Sequence, residues 1–275
     1  LRFGYATGTL GFYGVILIVI VGHLVTIPTA LALSEIATNH KVEGGGEYFV
    51  ISRSFGLNIG ATIGIALFMS QAISVAFYVI AFTEAFEGFF VWMSERFGAD
   101  LPRQVISLPA MTLLAWLILK KGANMGVKAL YFVVALLGIS LVLFFLGKGD
   151  TTVVPEVTFR NRGDFFMVFA IVFPAFTGMT AGVGLSGDLR NPSKSIPLGT
   201  VTATILGMIL YIFIAWKLNS SATVDDLTNI QLIMAKIALL GGLVIPIGLG
   251  ASTISSALGS VMVAPRTLQA LANDR

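Results

Sequence analysis

The chain has 275 residues, of which 56% are hydrophobic and 11% charged, with a mean hydropathy of +0.91; a soluble domain carries roughly 25% charged residues, so water is not its main solvent. The formal charge of +3 and a basic run no longer than Lys120-Lys121 leave no footprint for nucleic acid. With no cysteine and only two histidines, His23 and His40, the sequence excludes disulfide frameworks, thiolate metal sites and cysteine nucleophiles.

Stretches free of formal charge run from Phe3 to Ser34, Ser54 to Thr83, Gln104 to Leu119, Ala129 to Gly147, Phe165 to Gly187, Ser195 to Trp216 and Ile237 to Pro265. A hydrocarbon core about 30 Å thick takes roughly 20 helical residues. The first stretch exceeds that and carries Gly8, Gly11 and Gly14, so it divides into Leu1 to Thr9, the tail of one helix, and Tyr13 to Ala37, a complete second one. The runs are continuously apolar and lack the alternation of membrane strands, which predicts an all-α integral membrane protein with seven whole spans and one partial. The start at Leu1 lacks the order of a signal peptide, and the sequence reads as a fragment. Lys41, Lys120, Lys194 and Arg266 fall in alternate loops that are slightly the more basic, which places residues 38 to 57 in the cytoplasm and residues 91 to 103, 148 to 164 and 217 to 236 outside.

Within the loop Asn39 to Asn58, Gly44-Gly45-Gly46 lacks the lysine and hydroxyl residue of a phosphate cradle and reads as a tight turn into an interfacial helix. Tyr78 lies inside an apolar span, where a phenol needs a partner or water; both a bonded core tyrosine and a ligand fit the residue type. His23 has no acidic partner in its run and reads as a satisfied interior residue rather than a proton relay. Glu84 and Glu87 stand where the third span leaves the membrane, solvated or paired.

The run from Phe165 to Gly187 is interrupted by Pro174-Ala175-Phe176-Thr177-Gly178. Proline removes a backbone bond and glycine weakens a helix, so a break is expected between Phe173 and Met179. Its carbonyls would suit a cation, and the amides of Gly178, Met179 and Thr180 an anion; a close-packed kink is the competing reading. In the last span Ser252, Thr253, Ser255, Ser256 and Ser260 form a hydroxyl stripe that suits either a hard cation or tight helix packing. No hydrolytic motif of the HExxH or GxSxG kind occurs, which argues against an enzyme.

Four segments resemble the cation-chloride cotransporters of the amino acid, polyamine and organocation superfamily. They are LRFGYATGTLG from Leu1, KVEGGGEYFVISRSFG from Lys41, FFMVFAIVFPAFTGMTAGVGLSGDLRNPSKSIPLGT from Phe165, and SSALGSVMVAPRTLQALANDR from Ser255. The resemblance implies an inverted-repeat fold of five helices plus five with discontinuous helices, of which this chain carries late helix 1 to helix 8: residues 1–147 from the first repeat, an extracellular loop at 148–163, and 164–275 beginning the second. The first half of helix 1 and helices 9 and 10 would lie outside the sequence, so the chain alone is not expected to transport.

The same resemblance places Tyr78, the carbonyl of Pro174 and the oxygens of Thr177 at a potassium site, the amides of Gly178, Met179 and Thr180 at a chloride site, and Ser255 and Ser256 at a sodium site. That combination resembles the sodium-potassium-chloride branch. It implies a multi-pass cell-membrane symporter with no cofactor beyond its transported ions, with the bilayer and inorganic ions as partners and homodimers usual in the family. The competing expectations are an amino acid permease of the same fold and a non-transporting membrane subunit or degenerate fragment.

Overall fold

A computed structural model describes residues 2–39, 45–121, 123–150, 153–178, 183 and 189–274. Among them the regular structure is helical: α1 Phe3–Asn39, α2 Glu47–Phe55, α3 Leu57–Glu84, α4 Glu87–Phe97, α5 Gln104–Lys121, α6 Ala123–Leu146, α7 Phe165–Val172, α8 Pro192–Ser221, α9 Val224–Asn229, α10 Ile233–Ile237 and α11 Gly241–Asn273. The all-α expectation holds. Helices α1, α3, α8 and α11 are long and apolar enough to cross a bilayer, and Gln104–Lys120 and Tyr131–Leu146 are shorter apolar helices. Large apolar side chains such as Leu24, Ile73 and Leu206 stand exposed on them. In water such surface would drive aggregation; in hydrocarbon it needs no partner.

The first apolar stretch divides as its glycines predict. The halves of α1 meet at Gly11, whose φ of 73° and ψ of 177° belong to no helix. A break inside a membrane protein must have its freed backbone groups satisfied. Here an extended strap does so: the Tyr13 amide donates to the Thr158 carbonyl at 3.1 Å, and the Arg160 amide donates to the Leu10 carbonyl at 2.8 Å. The strap lies so close that a Cβ on Gly11 would sit 2.5 Å from the Thr158 carbonyl oxygen.

Two helix pairs organise the molecule. In one body α8 packs along α1, with α7 and α9 against the same helix; in the other α11 packs along α3, with α6 against α11 and α2 and α5 against α3. The larger core centres on the first, with Leu10, Ile18, Val168, Val172, Phe176, Ala215 and Leu218, and reaches Phe144 of α6 and Ile245 of α11. The second holds Val79, Ala110, Leu114, Ala257 and Leu258, with Tyr78 and Phe82 packed on them.

The expected turn and interfacial helix appear as a turn at Gly45 and Gly46 followed by α2, while Gly44 lies outside the described residues. A polar latch fixes α2 to the end of α11. Asp274 accepts from the Tyr48 hydroxyl at 2.9 Å and from the Arg53 guanidinium at 2.8 Å. Those two hydrogen bonds hold the Asp274 carboxyl below its ordinary range, while burial, and then the bond to Asp274, raise the Tyr48 phenol. Glu87 is paired, with Arg103 at 3.0 Å.

Candidate ion-binding site

The site begins where α7 ends. After Val172 the chain tightens into a 3-10 turn over Phe173–Phe176, since Pro174 has no amide to continue the α-helical ladder. The Thr177 amide and hydroxyl both donate to the Pro174 carbonyl, at 3.3 and 2.8 Å. Pro174, Thr177 and Gly178 are exposed. Met179 and Thr180, expected to complete the anion-binding amides, lie outside the described residues, as does most of the segment that follows them.

The opposite side of this turn is anchored in the first body. The Phe176 ring is buried against Gly22, where a Cβ would come within 2.5 Å of it. It meets the Tyr211 ring edge-on at 5.0 Å between centroids and the His23 ring at 4.9 Å, while Phe3 stacks on Tyr211 at 5.0 Å. Tyr211 donates its hydroxyl proton to the Ala175 carbonyl at 2.8 Å, so a carbonyl freed by the broken helix is held from α8. One turn beyond His23, Thr26 has the one buried side-chain oxygen without a hydrogen-bond partner among the described residues.

The other expected ligands stand in the second body. Tyr78 is half-buried on α3, in edge contact with Phe77, and its hydroxyl makes no hydrogen bond with another described residue. Ser255 and Ser256 are half-buried on α11. Ser256 donates to the Ser252 carbonyl at 3.0 Å, which leaves its oxygen lone pairs open. Thr253 is turned back onto the Leu249 and Gly250 carbonyls, both at 3.0 Å, which suits packing. Thus Tyr78, Ser255 and Ser256 share one body, and Pro174, Thr177 and Gly178 belong to the other; no hydrogen bond joins Tyr78 to Pro174 or Thr177.

The sequence reading did not single out Tyr211 as the side chain that holds the broken turn, although residues 204, 207 and 211 fall on one helical face of a charge-free span. His23 is a satisfied interior residue at Nδ1, which sits 2.7 Å from the Val19 carbonyl.

Apolar membrane-length helices, interrupted within the apolar stretch, are the architecture of many membrane carriers. The family model described as Amino acid permease matches residues 1–275, and the chain belongs to that family. Mouse solute carrier family 12 member 1 is 30% identical over 334 aligned residues, covering 100% of this chain and 30% of its own length. Mouse solute carrier family 12 member 8 is 31% identical over 291, covering 100% and 40%. Cation-chloride cotransporter 1 of Arabidopsis thaliana is 30% identical over 321, covering 100% and 33%. The resemblance carried by the four motifs therefore extends across the chain, which spans about a third of the length of these relatives. It is a multi-pass membrane protein of a family of transporters, not of enzymes.

Proposed function

We propose that this chain is part of the transport core of a symporter that couples sodium, potassium and chloride in one electroneutral cycle by alternating access. The observation that carries the reading is the interrupted helix at Phe173–Phe176, facing open space through Pro174, Thr177 and Gly178, in a chain whose partner helices offer the unengaged phenol of Tyr78 and the hydroxyls of Ser255 and Ser256. Neutral oxygens suit alkali cations, and helix-start amides suit an anion. Gly178, with Met179 and Thr180, takes the chloride role in this proposal. The repeat division at 1–147 and 164–275 belongs to it as well, and each helix pair then draws one member from either repeat.

Rubidium uptake by the full-length protein tests the reading. Tyr78→Phe keeps the ring and removes one oxygen, and is expected to weaken rubidium dependence while leaving surface expression intact. The double variant Ser255→Ala, Ser256→Ala is expected to raise the sodium concentration needed for half-maximal chloride uptake. Parental affinities in both variants would remove the sodium-potassium-chloride assignment. The family description favours a second reading, an amino acid permease; sodium-driven uptake of a labelled amino acid, with rubidium uptake absent, would establish it instead.

A further inference from the structure

Helix α4, Glu87–Phe97, follows the end of α3 after Ala85 and Phe86 alone. An α-helix rises about 1.5 Å per residue, so the 28 residues of α3 span about 42 Å, more than the roughly 30 Å of a hydrocarbon core. Helix α4 therefore starts among the lipid headgroups. Most of its side chains are apolar, in the order EGFFVWMSERF, yet none of its residues is buried. Phe89, Trp92 and Phe97 are 42%, 52% and 63% exposed.

The exposed rings form one patch. Trp92 meets Phe97 edge-on at 5.5 Å between centroids and lies 6.3 Å from Phe89. Arg96 belongs to the same side, because the steps of three and four residues from Phe89 to Trp92 to Arg96 keep to one helical face. Its neighbours Glu87 and Ser94 are engaged elsewhere: Glu87 accepts from Arg103 at 3.0 Å, and Ser94 donates to Asp100 at 2.7 Å. Glu95 stands about 100° around the helix from Arg96. Arg96 itself is exposed and makes no hydrogen bond or ion pair with another described residue.

A fixed positive charge beside aromatic rings at this depth has a chemical counterpart in the bilayer. Indole rings are most at ease where headgroups meet acyl chains, and a guanidinium receives a phosphate through two parallel hydrogen bonds. The chain leads up to the patch through Phe77 and Ile80, which stand exposed on the last turns of the α3 span, so lipid already borders it. We propose that α4 is an interfacial anchor, with Phe89, Trp92 and Phe97 seated at the edge of the acyl chains and the Arg96 guanidinium on a phospholipid phosphate. One phosphate satisfies one arginine, so a zwitterionic phospholipid suffices and no anionic lipid is required.

The test is fluorescence quenching of the full-length protein reconstituted in phosphatidylcholine vesicles, with the emission of Trp92 taken as the difference from Trp92→Phe. Lipid brominated on the acyl chain near the headgroup should quench that emission about twice as strongly as lipid brominated near the chain end, and aqueous iodide should have little effect. In Arg96→Gln the ratio of shallow to deep quenching should fall towards one, because no phosphate then sets the depth; a parental ratio would overturn the phosphate contact. Quenching by iodide without quenching by bromine would put α4 in water and overturn the anchor. Quenching by neither would mean that protein covers the patch, another segment of the full-length chain or a second copy, and would overturn it equally. Stronger quenching from the chain end would place the helix in the hydrocarbon core, which the interfacial position excludes.

Discussion

The two helix pairs solve the same solvent problem in opposite ways. In the α1/α8 body α1 is interrupted at Gly11 and α7 ends after Val172, and the freed backbone groups are taken up by the strap and by Tyr211. Rings of Phe3, Phe176, Tyr211 and His23 fill the space around the second break. In the α3/α11 body, α3 contains no proline, and the hydroxyls of Thr83, Thr253 and Ser256 are turned back onto carbonyls of their own helices. A bilayer gives little reward for apolar contact between helices, so the broken body depends on satisfying its backbone and the unbroken one on the fit of small side chains. Function and fragility should therefore separate between them.

The sharpest way to break that contrast is at Gly11. Its φ of 73° and ψ of 177° lie where only glycine is at ease, and a Cβ would meet the Thr158 carbonyl. Gly11→Ala should cost about 3 kcal/mol, from a forbidden backbone region and overpacking together. The expected result is loss of the monodisperse peak in size-exclusion chromatography; a parental melting temperature would show that the first body tolerates a relaxed break.

The second body is sharpened at its latch. Asp274→Asn keeps the bond geometry within reach but removes the charge facing Arg53, which is half-exposed, so about 1 kcal/mol is expected. The pH dependence has a definite sign. The native carboxyl of Asp274 is held below its unfolded value, so its contribution is complete above the unfolded carboxylate range and is lost as pH falls through the lowered native value. The difference in melting temperature between the parent and Asp274→Asn should shrink on acidification over that acid range, and a constant difference down to low pH would exclude the latch as its source.

The smallest effect belongs to Thr26. Its buried hydroxyl has no hydrogen-bond partner among the described residues, and Thr26→Val should be neutral or stabilise by up to about 1 kcal/mol. A stabilised variant that also loses transport would assign that oxygen to function rather than folding; a destabilised one would show that the oxygen is partnered in the folded protein.

What could be read in advance followed from chain-local chemistry. Charge-free runs marked the four helices long enough to cross a bilayer, Gly8 to Gly14 marked the division of α1, and Pro174 marked the end of α7, because each acts on its own neighbourhood of backbone. Pairing of α1 with α8 and α3 with α11 was not legible, since apolar helices in lipid carry no periodic face to betray a partner. The same reason hid the convergence of His23 and Tyr211, 188 positions apart in the chain, and the latch from Tyr48 to Asp274. Of the expected site, the turn with Pro174 and Thr177 formed as proline chemistry requires, whereas the register of Tyr78 and Ser255 against it depends on how two bodies meet, which no local pattern encodes.

The strap across Gly11 is written in main-chain atoms: an amide and a carbonyl on either side, three residues apart on α1 and two apart on the strap. Spelling there is free and spacing is not. Over evolutionary time the side chains of Thr158 and Arg160 can drift, while a single inserted or deleted residue between them would misalign both bonds at once, so this short stretch should behave as a ruler whose divisions outlast the letters printed on it.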